Sequence, residues 1–67
     1  MDAKLIGARL QSLRGQRTQA EVARGIGVSC MAISSYESGQ RIPRDEIKIK
    51  LAQYFQKTVE EIFFTTE

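Results

Sequence analysis

Apolar residues recur along this chain at helical intervals, broken by residues that start and stop helices. Ile6, Leu10 and Leu13 stand at offsets of zero, four and seven, the stripe of a first helix that Asp2 can cap. Gly7 inside that stripe costs about 1 kcal/mol relative to alanine, and close packing against another helix is the expected reason. Arg14-Gly15-Gln16-Arg17 ends the helix and turns into the next. There Thr18 can accept the N–H of Glu21 while Glu21 reaches back to the N–H of Thr18, a capping box. Val22, Ala23 and Ile26 share one face, and Gly27 ends the helix because it has no Cβ to clash in a left-handed conformation. Ser29 is a second N-cap, with Val28 placed to staple against Ile33. Ile33 and Tyr36 continue the apolar stripe and Gly39 closes it. Helix, glycine turn and helix within about twenty residues is the spacing of a helix-turn-helix.

Beyond Gly39, Pro43-Arg44 are expected to open a fourth helix. Ile47-Lys48-Ile49-Lys50-Leu51 alternates strictly, which is a strand pattern. Asp45 and Glu46 precede it as first-turn acids, however, and Ile47, Leu51, Tyr54 and Phe55 recur at offsets of zero, four, seven and eight. The longer window favours a helix with Ile49 partly exposed. Gln56-Lys57 turns the chain, and Thr58-x-x-Glu61 is a second capping box opening a short helix with Val59, Ile62 and Phe63. The expected fold is all-α, a compact five-helix domain spanning residues 1–67.

Several of these segments carry a family resemblance. Thr18-Gln19-Ala20-Glu21-Val22-Ala23, Gly27-Val28-Ser29, Ile33-Ser34 and Tyr36-Glu37-Ser38-Gly39-Gln40-Arg41-x-Pro43 resemble the Cro/phage-repressor (XRE) helix-turn-helix family. The resemblance covers nearly the whole chain, with several motifs in register. It implies a repressor-like fold, a salt bridge between Arg14 and Glu37, and a recognition helix from Cys30 to about Ser38. It further implies base contacts from Cys30, Met31, Ala32, Ser34 and Ser35. Phosphates would be held by Gln19 and by the loop carrying Gln40 and Arg41. Many family members have a longer connection between the first two helices; here it is trimmed, leaving Arg17 immediately before the Thr18 cap.

An arginine beside a helix N-terminus repels the macrodipole unless a phosphate joins it, when cap N–H groups and guanidinium share one anion. A freely solvated Arg17 is the other reading. The full DNA-facing set is then Arg17, Thr18, Gln19 and Ser29, the recognition-helix residues Cys30, Met31, Ala32, Ser34 and Ser35, and Gln40, Arg41 and Arg44. The recognition helix offers no Arg, Lys, Asn or Gln for a bidentate base contact. Serine hydroxyls donate or accept one bond to many bases, and Met31 and Ala32 offer only apolar contact, suited to a thymine methyl. Readout is expected to be weak per base, tilted towards A·T pairs and helped by DNA shape. Cys30 would be a redox switch or a small residue tolerated at a semi-exposed position.

Composition narrows the classes. In 67 residues there is room for one small domain, of which about 60% of the unfolded surface would be buried. With one cysteine and no histidine, neither an internal disulfide nor a histidine-based metal or catalytic site is available, so no enzyme, metal or cofactor is expected. No apolar run suits a membrane span and no signal-like start is present, which points to the cytoplasm. The net charge is only +2. Residues 1–44 hold seven Lys/Arg against three Asp/Glu, or +4, whereas 45–67 hold three against five, or −2. The basic half contains the helix-turn-helix and is expected to face DNA.

Phe63-Phe64 are too much for so small a core, one being core and the other spare. Ile62, Phe63 and Phe64 are therefore the candidate dimer interface. Thr65-Thr66 is expected to fray, with a short intersubunit strand as the other option. The expected function is duplex DNA binding as a homodimer that represses or switches transcription, without a small-molecule ligand. The rival is a protein-interaction module, antitoxin-like, on the same fold. RNA binding lacks outward aromatic residues for base stacking.

Overall fold

The computed structural model describes residues 2–65. Helix α1 spans Ala3–Arg14, and the Asp2 carboxylate accepts from the N–H groups of Lys4 and Leu5 at 3.0 and 3.2 Å. Helices α2 (Gln19–Ile26) and α3 (Cys30–Ser38) follow, then α4 (Asp45–Phe55) and a short α5 (Glu60–Phe64). No strand occurs among the described residues. The alternating stretch lies wholly within α4, because its acidic first turn and longer helical stripe bury Ile47 and Leu51 and leave Ile49 49% exposed.

One core joins all five helices: Ile6 and Leu10 from α1, Val22, Ala23 and Ile26 from α2, Ile33 and Tyr36 from α3, Ile47, Leu51 and Ala52 from α4, and Ile62 and Phe63 from α5. Leu13 and Val28 pack at its margin. Helices α1 and α3 approach to backbone contact. A Cβ on Gly7 would lie 2.7 Å from the Tyr36 carbonyl oxygen and closer still to that of Glu37. Only glycine permits this approach, which explains why the first helix carries one.

Four expectations need correction. Helix α4 begins at Asp45, not at Pro43-Arg44; Arg44 is its N-cap without a side-chain bond, and Pro43 is buried ahead of it. Of the Thr18–Glu21 capping box only the forward bond is made, Glu21 N–H to Thr18 Oγ1 at 3.0 Å. The Thr58–Glu61 box is complete, with bonds of 2.9 and 3.0 Å in the two directions. Helix α5 then winds as a π-helical turn, closed by the Thr65 N–H on the Glu60 carbonyl at 3.0 Å. The Thr65 hydroxyl donates to the same carbonyl at 2.9 Å, so Thr65 is tied back to α5 and does not extend as a strand; Thr66 lies outside the described residues.

The fourth correction concerns the expected dimer surface. Ile62 and Phe63 are 2% and 3% exposed, so their side chains serve the core and only Phe64, at 56%, faces outward. Lys48 accounts for part of this arrangement. It is only 8% exposed, its stem lying under α5 with Nζ 5.9 and 5.3 Å from the rings of Phe63 and Phe64. A long aliphatic stem can cover an aromatic surface while its ammonium keeps polar company, here Asp45 at 3.5 Å. No helix among the described residues is long and apolar enough to cross a membrane.

Candidate nucleic-acid interface

The turn between α2 and α3 is built from local signals. Gly27 adopts φ 79°, and the N–H groups of Gly27 and Val28 both return to the Ala23 carbonyl, at 2.8 and 3.0 Å. Ser29 Oγ then accepts from Ala32 N–H at 3.1 Å and starts α3. As an acceptor there, the hydroxyl keeps its hydrogen for an outside partner.

Along α3, Ile33 and Tyr36 turn inward, which leaves Cys30, Met31, Ser34 and Ser38 exposed, Met31 at 80%. Ser35 is half-buried. Ala32 packs against the core, so a base contact from it has no support in the geometry. Ser38 was not anticipated, although its offsets of four from Ser34 and seven from Met31 place it on the same face. Its hydroxyl donates to the Ser35 carbonyl at 3.2 Å and leaves lone pairs outward. Cys30 is an exposed free thiol.

Glu37 anchors this helix. Arg14 donates from Nε and Nη2 to its two carboxylate oxygens at 2.7 and 3.1 Å, and Gln19 Nε2 donates to Oε1 at 3.0 Å. These hydrogen bonds hold the Arg14 guanidinium above its ordinary pKa, so its charge is secure. Helices α1, α2 and α3 thus meet at one carboxylate. Gln19, at the first turn of α2 beside Thr18, retains its amide oxygen and second N–H. Thr18 is exposed.

At the far end, Gly39 (φ 81°) turns the chain, and the N–H groups of Gln40 and Arg41 both reach the Ser35 carbonyl at 3.0 and 3.3 Å. Gln40, Arg41 and Arg44 are exposed; Arg41 lies 5.8 Å from the Tyr36 ring centroid and Arg44 has only a loose contact with Glu46 at 3.9 Å. A Cβ on Gly39 would meet Lys4 at 3.0–3.1 Å, so the exposed Lys4 belongs to this cluster too. Nothing in the sequence relates Lys4 to Gly39, since the pairing depends on how α1 crosses α3.

Arg17 is exposed, as a solvated arginine would be, and it also leans on the protein. Its guanidinium donates to the Leu13 carbonyl at 3.3 Å and lies 5.6 and 5.9 Å from the rings of Tyr54 and Phe55. The carbonyl end of α1 is the negative end of that helix, and two aromatic faces add to the attraction. The guanidinium thus rests beside the carbonyl end of α1 while staying exposed to solvent. No group of three or more residues able to hold a metal ion occurs among the described residues.

Solved structures of known proteins share this fold. The P22 c2 repressor, in complex with a synthetic operator, superposes with a TM-score of 0.86 at 27% identity, covering 90% of this chain and 94% of that one. The restriction-modification controller protein C.AhdI from Aeromonas hydrophila gives 0.85 at 28% identity, covering 92% and 97%. A SOS-response repressor LexA from Eubacterium rectale gives 0.85 at 25% identity, covering 98% and 77%. Comparison with curated protein sequences finds no significant match. A helix-turn-helix family model matches residues 10–62, which include the glycine turn, all of α3 and the Arg14–Glu37 pair. The chain therefore belongs to the Cro/phage-repressor (XRE) helix-turn-helix family of DNA-binding, non-enzymatic transcription regulators.

Proposed function

We propose that this chain binds operator DNA as a homodimer, lays α3 in the major groove and represses transcription. The observation that carries this reading is the outward face of α3. Cys30, Met31, Ser34 and Ser38 are all exposed on a helix whose opposite face is locked to α1 and α2 through Glu37. A rigid helix with a free face is what groove insertion requires. Thr18, Gln19 and Ser29 lie at the starts of α2 and α3, where N–H groups suit a phosphate. Gln40, Arg41, Arg44 and Lys4 supply donors and charge past the other end. Such contacts position the protein without specifying sequence.

A single module buries about 600–1,000 Å² on DNA, thin for specific binding at cellular salt. Two modules on a palindrome, with recognition helices about 34 Å apart, remove that shortfall. Phe64 is the residue that offers a partner the largest exposed apolar group at α5.

Selection of bound sites from random duplex DNA, followed by salt titration, tests this. A two-fold palindromic motif and a log–log salt slope of several units are expected. No enriched motif, with binding insensitive to salt, would instead support a protein-interaction module.

A further inference from the structure

The outward face of α3 lacks any group suited to separate thymine from a methylated cytosine. Met31 dominates that face at 80% exposure; it carries no donor, and its thioether is at most a weak acceptor. In the major groove thymine presents a C5-methyl and the O4 acceptor, whereas cytosine presents an N4–H donor and no methyl. Methylation at C5 gives cytosine the same apolar projection as thymine. Telling the two pairs apart then requires a donor or an acceptor of fixed polarity, aimed at O4 or N4 or at the purine edge, where adenine presents N6–H and guanine O6. Serine supplies neither, because its hydroxyl rotates to donate or to accept. The Ser38 hydroxyl donates to the Ser35 carbonyl at 3.2 Å but is exposed, and by rotating away from that carbonyl it can donate outward as readily as accept. The Arg41 guanidinium is held near the Tyr36 ring, 5.8 Å from its centroid, beyond the end of α3.

We propose that α3 reads pyrimidine C5-methyl groups rather than base identity, so that 5-methylcytosine replaces thymine opposite Met31 while unmethylated cytosine does not. This rests on the placement of α3 in the major groove argued above. The ligand class is thus duplex DNA bearing a methylated pyrimidine in each half-site, whichever base carries the methyl. Burying one methyl-sized group corresponds to about fourfold in affinity, and two symmetric contacts to about fifteenfold.

The test starts from the selected palindrome. Each thymine is replaced by deoxyuridine, symmetrically in both half-sites, which deletes the methyl and keeps O4. At one thymine per half-site a loss of about tenfold or more is expected, with the salt slope unchanged. At that position C·G is expected to bind as weakly as the uracil duplex, and 5-methylcytosine paired with G to return affinity to within about threefold of thymine. Met31→Ser should bind thymine and uracil duplexes equally; Met31 is exposed, so the fold does not depend on it. Tolerance of uracil at every position, equal weakness of cytosine and 5-methylcytosine, or a methyl preference that survives Met31→Ser would each overturn the inference. A failure of groove binding itself shows earlier and separately, as salt-insensitive binding before any base is changed.

Discussion

Arg14, in the last turn of α1, grips the carboxylate of Glu37, near the end of α3, through two bonds of 2.7 and 3.1 Å. The same guanidinium donates from Nη1 to the Arg17 carbonyl at 2.7 Å, and so also fixes the short connection into α2. The Glu37 side chain is 7% exposed and that of Arg14 18%. Such a pair adds little net stability, but loss of one partner strands the other in a poorly solvated place. Glu37→Ala is expected to melt lower by more than about 5 °C, and Arg14→Leu in the same chain to recover part of the loss. Thermal melts of the single and double variants check this; a wild-type melt for Glu37→Ala would remove the pair as an organiser of the three helices.

Gly7→Ala gains about 1 kcal/mol in helix propensity yet places a methyl against two backbone carbonyls of α3. Backbone cannot move aside as a side chain can, and overpacking of this kind costs about 1–3 kcal/mol. A net fall in stability is expected. Gly25 provides the control: there the obstruction is the ring of Tyr54, and Tyr54→Leu should relieve Gly25→Ala. No side-chain truncation should relieve Gly7→Ala. Denaturant midpoints of the variants decide it.

Arg41 is exposed just past α3 and its N–H is fixed to the Ser35 carbonyl. Arg41→Ala is expected to weaken binding to all duplexes alike and to lower the salt slope by about one unit, as loss of one phosphate contact does. A changed sequence preference at constant slope would assign Arg41 to the bases instead.

Phe64→Ser is expected to shift the protein towards monomer and weaken operator binding through lost avidity, with the melting of the monomer little altered. At 56% exposure it has less than half of its surface to contribute to core packing. Sedimentation across a concentration series measures the first effect. An unchanged assembly state would exclude Phe64 from the interface.

Glu61 supplies a pH dependence. The backbone N–H and the hydroxyl of Thr58 hold its carboxyl below the ordinary range. Because the folded value lies below the unfolded one, this contribution is complete above the ordinary carboxylate range and is lost as pH falls through the folded value. NMR titration should show the Glu61 carboxyl and the Thr58 amide changing together, below the ordinary range of a glutamate. In Thr58→Ala the carboxyl should titrate closer to its ordinary value, and coincident curves for the two proteins would refute the assignment.

The elements that could be read from the chain are those whose causes lie within four or five residues. Asp2, Thr18, Ser29 and Thr58 each accept a bond from an N–H in the first turn of the helix that follows, and Gly27 and Gly39 take the left-handed conformation that ends α2 and α3. The inward turn of Ile33 and Tyr36 also follows from spacing, and with it the outward turn of Met31. The free face of α3 was legible for that reason. The Arg14–Glu37 pair, 23 residues apart, came instead from family resemblance.

Contacts between helices required the tertiary structure, because they depend on crossing angles and depths that no local pattern records. Arg17 finds the Tyr54 and Phe55 rings only once the end of α4 is brought against the α1–α2 connection. Lys48 belongs to the alternating run, and its burial depends on α5 closing over its stem. Ile62 and Phe63 could have faced a partner or the core, and packing of α5 against α1 turned both inward while Phe64 remained outside. Lys4 joins the interface through the same close approach of α1 and α3 that makes Gly7 necessary. Helix identity and the free face of α3 were thus local properties of the sequence, whereas the seats of the cations and the choice between core and surface at α5 were decided by packing.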